Sequence, residues 1–360
     1  MVNEDSLENV ISTMSNVDDS GHVSEIPTIS ADDVSSGPRQ RDRYKAESNI
    51  FSQLVSDLTL TLHSLHERVS YDDINQTLIT LTKDIGTRRV GTEGNARATQ
   101  FLMTSLKAFG FDEASGALVK QGFYSYGLYT ENVIATIPSD KPDAPIVVLS
   151  AHYDSVRGTE GAVDNASGVA ALLETARVIK QSDLKLDFEL RICFFSAEED
   201  GYIGAYHYIE KCPDETLRKH ACILNTDMAG HNNSERTTAL VVSTRADPGN
   251  YGWGPAPANC VSDAVTKAYR ELNEINAANF HSPANTGRHD IIPFMNAGID
   301  CATLSWREID ANRAYDNDLG IITPLLIHTP DDTLENLNIE SVYMTTRLFV
   351  KSIAMLDEKI

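Results

Sequence analysis

The chain has 360 residues, and its 52 Asp and Glu against 30 Lys and Arg give a formal net charge of −22, which excludes the clustered cationic surface of a nucleic-acid binder. Its hydrophobic fraction of 41% and charged fraction of 23% are those of a globular protein with a sizeable core. No apolar run reaches the roughly 18 residues needed to span a bilayer, so no membrane partner is expected. The cysteines (Cys193, Cys212, Cys222, Cys260 and Cys301) are odd in number and contain no C-x-x-C pair. That excludes a disulfide framework and favours a reducing compartment. The N-terminus, "MVNEDSLENV", has neither a basic nor an apolar leader region. A cytoplasmic location is therefore the expectation, with secretion left open if the N-terminus has been trimmed.

Residues 1–47 lack hydrophobic periodicity and read as a flexible extension; residues 48–360 read as a single domain. "IFSQLVSDLTLTLHSL" and "YDDINQTLITLTKDI" carry apolar residues at three- and four-residue steps and are expected to be helices. A Gly-rich loop, "GTRRVGTEGN", then leads into a helix from about Gly94, closed by Gly110. "ENVIATIP" and "APIVVLSA" read as strands, "ASGVAALLETARVIKQS" as a helix, and "KLDFELRICFF" as a strand by its alternation. "GYIGAYHYIEKC" reads as a helix, "ACILNTD" and "TALVVST" as strands, "VSDAVTKAYRELN" as a helix and "DCATLSW" as a strand. A terminal helix follows from Asn338, its expected cap. Strands alternating with helices predict a three-layer α/β fold, with a central mostly parallel or mixed sheet covered on both faces.

In such sheets, sites form just beyond the carboxyl ends of the strands. "IVVLSAHYD" ends on His152 and Asp154, "LRICFFSAEED" on Glu198 and Glu199, and "ACILNTDMAG" on Asp227. The loop "GAVDNASGV" places Asp164 directly before a helix, and "LLIHTPDDT" places His328 after an apolar run. Taken singly, each has a plain structural reading: Asp164 as a helix cap, His152 as a satisfied core histidine, Glu198 and Glu199 as a solvated turn. Taken together, two histidines and several carboxylates at the same end of successive strands form a mixed N/O donor set suited to Zn²⁺, Mn²⁺ or Co²⁺.

This ordered set, His-x-Asp, Asp in "VDNASG", Glu-Glu, Asp in "NTDMAG" and His in "HTPDD", resembles the di-zinc aminopeptidases, a family that includes bacterial leucyl aminopeptidases, glutamate carboxypeptidase and animal glutaminyl cyclase. "TRRVGTEGN" and "GRHDIIPFMNAGI" look like the family's flanking segments, and the resemblance covers roughly residues 85–350. It implies that His152 and Asp227 hold one zinc, that Glu199 and His328 hold the other, and that Asp164 bridges the two. It further implies that Asp154 orients His152, that Glu198 is the general base, and that the Asp164–Asn165 peptide bond is cis. The implied reaction is hydrolysis of the N-terminal bond of peptides with a free amino terminus, through a water activated by two zinc ions. Arg288 matches an arginine that some members use near the substrate carbonyl; a surface salt bridge is its equally simple reading. The position before the last histidine, Tyr in some members, is Ile327 here.

Four alternatives stand beside this reading; one, a two-metal amidohydrolase, would need a separate dimerisation domain inserted after the Glu-Glu region, where this chain shows strand and helix patterns of the catalytic domain itself. A glutaminyl cyclase-type acyl transfer would use one zinc and a Trp before the last histidine, and Ile327 argues against it. A carboxypeptidase or dipeptidase of the same fold remains open. A non-enzymatic binding member would have a degraded ligand set, which this chain does not. Oligomeric state and side-chain preference are not legible in the residues.

Overall fold

The computed structural model describes residues 64–182, 184–232, 238–244, 254–255, 259–275, 280–285, 289–309, 321–322, 326–358 and 360. All of them lie in one compact unit, Leu60–Ile360. The expected boundary at residues 47 and 48 and most of the first expected helix lie outside the described residues.

The strands are β1 (Leu118–Ser125), β2 (Leu128–Ile137), β3 (Ile146–His152), β4 (Glu189–Phe195), β5 (His220–Thr226), β6 (Thr238–Ser243), β7 (Gly254–Pro255), β8 (Phe280–Asn285), β9 (Asp300–Ile309) and β10 (Ile321–Ile322). The helices are α1 (Tyr71–Ile79), α2 (Glu93–Phe109), α3 (Ser167–Lys180), α4 (Ile203–Lys211), α5 (Asp214–Leu217), α6 (Cys260–Leu272), α7 (Ile291–Asn296) and α8 (Ile339–Asp357). The sheet order is β1-β2-β4-β3-β5-β9-β6-β8-β7, with β10 pairing on β9. The central run β4-β3-β5-β9 is parallel throughout. The β1-β2-β4 flank and the β9-β6 pair are antiparallel, so the sheet is mixed.

Alternation along the central strands builds two cores. Val147, Leu149 and Ala151 of β3, Leu190, Ile192 and Phe194 of β4, and Leu224 of β5 face one layer, against residues of α1, α2, α3, α6 and α8. Ile146, Val148, Cys193, Phe195 and Ile223 point the other way, against Ala205 and Tyr208 of α4 and Ile291 and Phe294 of α7. The period of two across a strand with both faces covered is the reason these segments read as near-continuous apolar runs. Each buried Phe here contributes about 1.5–3 kcal/mol of transfer free energy.

Local chemistry sets the element ends. The Thr92 side chain caps α2 by accepting from the Asn95 amide, and Gly110, at φ 100°, ends that helix in the left-handed region. Asn338 caps α8 as expected, accepting from the Ser341 amide at 2.9 Å. All five cysteines are free thiols.

The structure departs from the sequence expectation in several places. The second helix turns at Thr80 into a π-helical segment, Thr80–Ile85. The strand expected from Lys185 starts at Glu189, because Leu186 and Phe188 are buried by packing rather than by pairing in the ladder. Strand β1 and helix α7 were not foreseen. β1 is an edge strand whose buried and exposed positions do not alternate cleanly, so it shows no clear period. α7 is six residues with a proline inside, too short for a helical period to register.

Candidate metal centre

Three of the expected ligands, His152, Glu199 and Asp227, lie at or just past the end of a strand. His152 is the last residue of β3, and Asp227 follows the last residue of β5. The chain leaves β4 through Ser196 and Ala197, the latter left-handed at φ 62°. A tight turn follows, in which the Gly201 and Tyr202 amides donate to the Glu198 carbonyl at 2.8 and 2.9 Å. That reversal aims Glu198 and Glu199 differently although they are neighbours. An alanine in this region costs on the order of 1 kcal/mol, which persists only where surrounding structure over-determines it.

Asp164 lies in the turn Ala162–Ala166, whose Asp164–Asn165 bond is cis, as the resemblance implied. It is not the cap of α3, which begins at Ser167 without a side-chain cap. The neighbouring Asn165 ties this loop to the end of β5. Its Oδ1 accepts from the Met228 and Gly168 amides at 3.1 and 2.9 Å, and its Nδ2 donates to the Thr226 carbonyl at 3.1 Å. Position 168 has to be glycine for this to happen, since a Cβ there would stand 2.2 Å from Asn165 Oδ1.

The side chains converge in two groups that share Asp164: His152, Asp164 and Asp227, and Asp164, Glu199 and His328. His152 Nε2 is 3.1 Å from Asp164 Oδ1 and 3.4 Å from Asp227 Oδ1. His328 Nε2 is 3.2 Å from Asp164 Oδ2 and 3.0 Å from Glu199 Oε2. Two donors on one tetrahedral ion, each bonded at about 2.0–2.1 Å, stand about 3.3 Å apart, so these separations fit a coordination shell. The orphaned atoms agree: both ring nitrogens of His152, Glu199 Oε1 and Asp227 Oδ1 are buried without a hydrogen-bond partner. Buried polar atoms are rarely left so unless something else satisfies them; divalent cations would meet the need of His152 Nε2, Asp227 Oδ1 and the Glu199 carboxylate, while His152 Nδ1 faces Asp154. The donor set therefore fits divalent metal.

Charge points the same way. Burial pushes the Glu199 carboxyl up to about 7, with the Asp164 charge adding to it. Burial first, and then the charges of Asp227, Asp290 and Glu199, raise Glu198 well above the ordinary glutamate value. His328 is pushed up to about 10 by its contacts with Asp164 and Glu199. A buried cluster dominated by carboxylates is costly until positive charge joins it.

Asp154 does more than the sequence implied. Its Oδ1 lies 3.6 Å from His152 Nδ1, an ionic contact beyond hydrogen-bond length. Its closer partners are the Glu198 and Glu199 amides, at 3.1 and 3.3 Å, so it anchors the turn that carries both glutamates. Asp200 accepts from Ser125 Oγ at 2.6 Å and ties the turn to β1. Arg288 lies outside the described residues. Ile327 is partly buried and packs against the main core.

Several residues at the site were not identified from the sequence. Asp332, in the quoted "HTPDD" run, is buried and accepts from the Val163 and Asp164 amides at 2.7 and 3.2 Å. Replacing it by Ala strands two buried N–H groups, so a loss of about 2 kcal/mol of stability is expected, with weaker metal binding. Denaturant titration alongside zinc analysis checks this; an unchanged midpoint with full metal content contradicts it. Arg88 is wholly buried and donates to backbone carbonyls around the Asp164 loop. His289 contacts Asp227 through Nδ1, and Arg307 in turn contacts His289 at Nε2. "TRRVG" and "GRHDII" were both quoted for their likeness to family segments, but which residue in each acts is a matter of packing. Beside Glu199 lies a cavity of ≈ 150 Å³, lined by Arg89, Val90, Asp154, Ser155, Val156, Arg157, Glu199 and Asp200.

Residues 132–353 match the family model described as Peptidase family M28, well over half of the chain. The chain belongs to peptidase family M28. Among curated relatives, this M28 chain is 32% identical over 203 residues to Aminopeptidase YwaD of Bacillus subtilis, covering 56% of the chain and 39% of that protein. It is 30% identical over 217 residues to Leupeptin-inactivating enzyme 1 of Streptomyces exfoliatus, covering 59% and 43% respectively. The chain thus spans about four-tenths of the length of these curated relatives. Among solved structures, the M28 fold aligns with BSAP, a zinc aminopeptidase from Bacillus subtilis, at a TM-score of 0.66 and 18% identity, over 79% of this chain and 94% of that one. It also aligns with a glutaminyl cyclase from an Acidobacteriales bacterium at a TM-score of 0.63 and 20% identity, over 81% of this chain and 95% of that one. Among the described residues, no helix is long and apolar enough to cross a membrane.

Proposed function

We propose that this M28 chain is a two-zinc aminopeptidase that removes the N-terminal residue of peptides bearing a free α-amine. The observation that carries the reading is the pair of complete donor groups sharing Asp164. A one-metal centre would need only Asp164, Glu199 and His328. The completeness of the His152 and Asp227 half supports two ions and weighs against the cyclase alternative.

His152, Asp164 and Asp227 would hold one ion, and Asp164, Glu199 and His328 the other. Once bound, two divalent ions supply Lewis-acid polarisation of the scissile carbonyl and acidify a water. Glu198 is the chain's own contribution to proton movement. It belongs to neither donor group, and burial gives its carboxyl a raised proton affinity. A carboxylate so placed takes a proton from the attacking water at one oxygen and returns it to the departing amine, which makes it general base and then general acid. Asp154 fixes the backbone from which Glu198 projects, through the Glu198 and Glu199 amides. Asp200, in the lining of the ≈ 150 Å³ cavity that Arg89 and Arg157 share, is the acid that would suit a substrate α-ammonium group.

The test is metal content together with a substrate panel of aminoacyl amides, N-blocked peptides and N-terminal glutaminyl peptides. Two zinc per chain and turnover confined to free amino termini are expected, with loss of activity on chelation and recovery on zinc addition. One zinc with ring closure of glutaminyl peptides overturns the proposal in favour of acyl transfer.

A further inference from the structure

Asp227 is approached by one imidazole from the strand side and another from behind. His289, the residue just ahead of α7 and its preceding Asp290, is 2% exposed, and its Nδ1 stands 2.5 Å from Asp227 Oδ2. The opposite ring nitrogen, Nε2, is 2.8 Å from Nη2 of Arg307 on β9, itself 3% exposed. A guanidinium has donors and no acceptor, so the only role left to His289 Nε2 in that contact is to accept. The ring proton must then sit on Nδ1 and be donated to Asp227 Oδ2. That assignment follows from Arg307 and not from any choice made for the ring. With Oδ2 taken, the remaining oxygen of Asp227 is Oδ1, the atom that is buried without a hydrogen-bond partner and lies 3.4 Å from His152 Nε2.

We propose that His289, locked in its Nδ1–H tautomer by Arg307, is a positioning residue that presents Asp227 to metal through a single oxygen and so sets the affinity of the His152–Asp164–Asp227 site. This rests on the two-metal reading above. The three residues come from three elements: the end of β5, the turn before α7, and the last third of β9. Their meeting is a product of the β5–β9 pairing, in which the Asp227 amide donates to the Leu304 carbonyl and the Trp306 amide to the Met228 carbonyl. A neutral ring between a guanidinium and a carboxylate leaves the carboxylate its full charge while fixing its rotation. Removal of such an outer partner of a metal ligand typically costs 10–100-fold in metal affinity.

A plain structural reading, an Asp that merely needs a hydrogen bond, makes a different prediction, and three measurements separate the two. Stepwise zinc titration of the metal-free full chain against a chromophoric chelator should show His289→Leu weakening one of two sites 10–100-fold and leaving the other within about threefold. His289→Gln, whose amide N–H can donate to Asp227 while its carbonyl accepts from Arg307, should restore that site to within about threefold. Nitrogen-15 spectra of histidine-labelled, metal-free protein should show His289 protonated at Nδ1 alone, and Arg307→Leu should release that preference. This last readout needs no metal and no activity, and keeps the question answerable if His289→Leu fails to fold. A proton on Nε2 or on both nitrogens in the wild-type protein overturns the proposal, as do equal weakening of both sites or no weakening of either. A wild-type chain that binds no zinc would instead overturn the two-metal reading, whatever the tautomer.

Discussion

Glu198→Gln should lower kcat by about 10²–10⁴-fold while the protein keeps two zinc ions and an essentially unchanged KM. The amide keeps the size and burial of the side chain but cannot accept a proton and hand it on. Glu198 is outside both donor groups, so its neutralisation takes nothing from the ligand shell. It also relieves the like-charge crowding that Glu198 shares with Asp227, Asp290 and Glu199, so folding stability should hold or rise slightly. The adjacent change Glu199→Ala should act oppositely: zinc is lost from the site shared with His328, and activity goes with it. Steady-state kinetics with metal analysis on both variants reads the contrast. Retained turnover in Glu198→Gln with both metals present would remove Glu198 from the proposed role.

The second large effect is expected away from the metals. Arg88 donates from Nε to the Tyr153 carbonyl at 2.8 Å, from Nη1 to Gly86 and Glu160 at 3.1 and 2.6 Å, and from Nη2 to Gly161 at 2.9 Å. Those carbonyls belong to the end of the π-helical segment, the exit of β3 and the loop that leads into Asp164. One guanidinium thus sets the spacing between the His152 strand end and the Asp164 turn. Burial pushes its pKa down to about 10, with Asp332 and Asp154 opposing the drop, so it remains cationic at neutral pH. Arg88→Met fills the space but leaves these carbonyls unpartnered in a dry interior. A loss of about 3–5 kcal/mol is expected, a large share of the 5–15 kcal/mol that a folded domain commands. Arg88→Lys should do little better, because an ammonium on a flexible stem cannot reach several carbonyls in a fixed fork. Calorimetry of the metal-free variants should show a fall in Tm of roughly 10 °C for both. A Lys variant as stable as the parent would mean that charge, and not the fork, holds the loop.

Much of the candidate site was legible because its chemistry is written at strand ends. Hydrophobic runs stopping at His152, at Glu198 and Glu199, and at Asp227 need only the rule that sites open past the carboxyl ends of parallel strands, and the central strands are parallel. Asp164, ahead of a helix, and His328, after an apolar run, were legible as candidates, but their roles came only from the ordered motif set. Asp154 shows the limit of reading by motif. Its position two residues after His152 suggested a partner for the imidazole, whereas its shorter contacts are with the Glu198 and Glu199 amides, 44 and 45 residues later in the chain.

Composition, periodicity and the order of acids and histidines along the chain therefore determined the fold class, the candidate donor residues and the chemistry they would suit. Those are properties of side chains and of local repeats, which each segment carries with it. What only the tertiary structure decided is which buried groups hold the donors in place: Arg88 across three segments, Asp332 under the Asp164 turn, and the Arg307–His289 pair behind Asp227. None of these has a local signature, because a hydrogen bond between residues 62 or 169 positions apart leaves no spacing to read. It exists only once the strands have set their register and the loops at one end of the sheet have been brought within a few ångströms of each other.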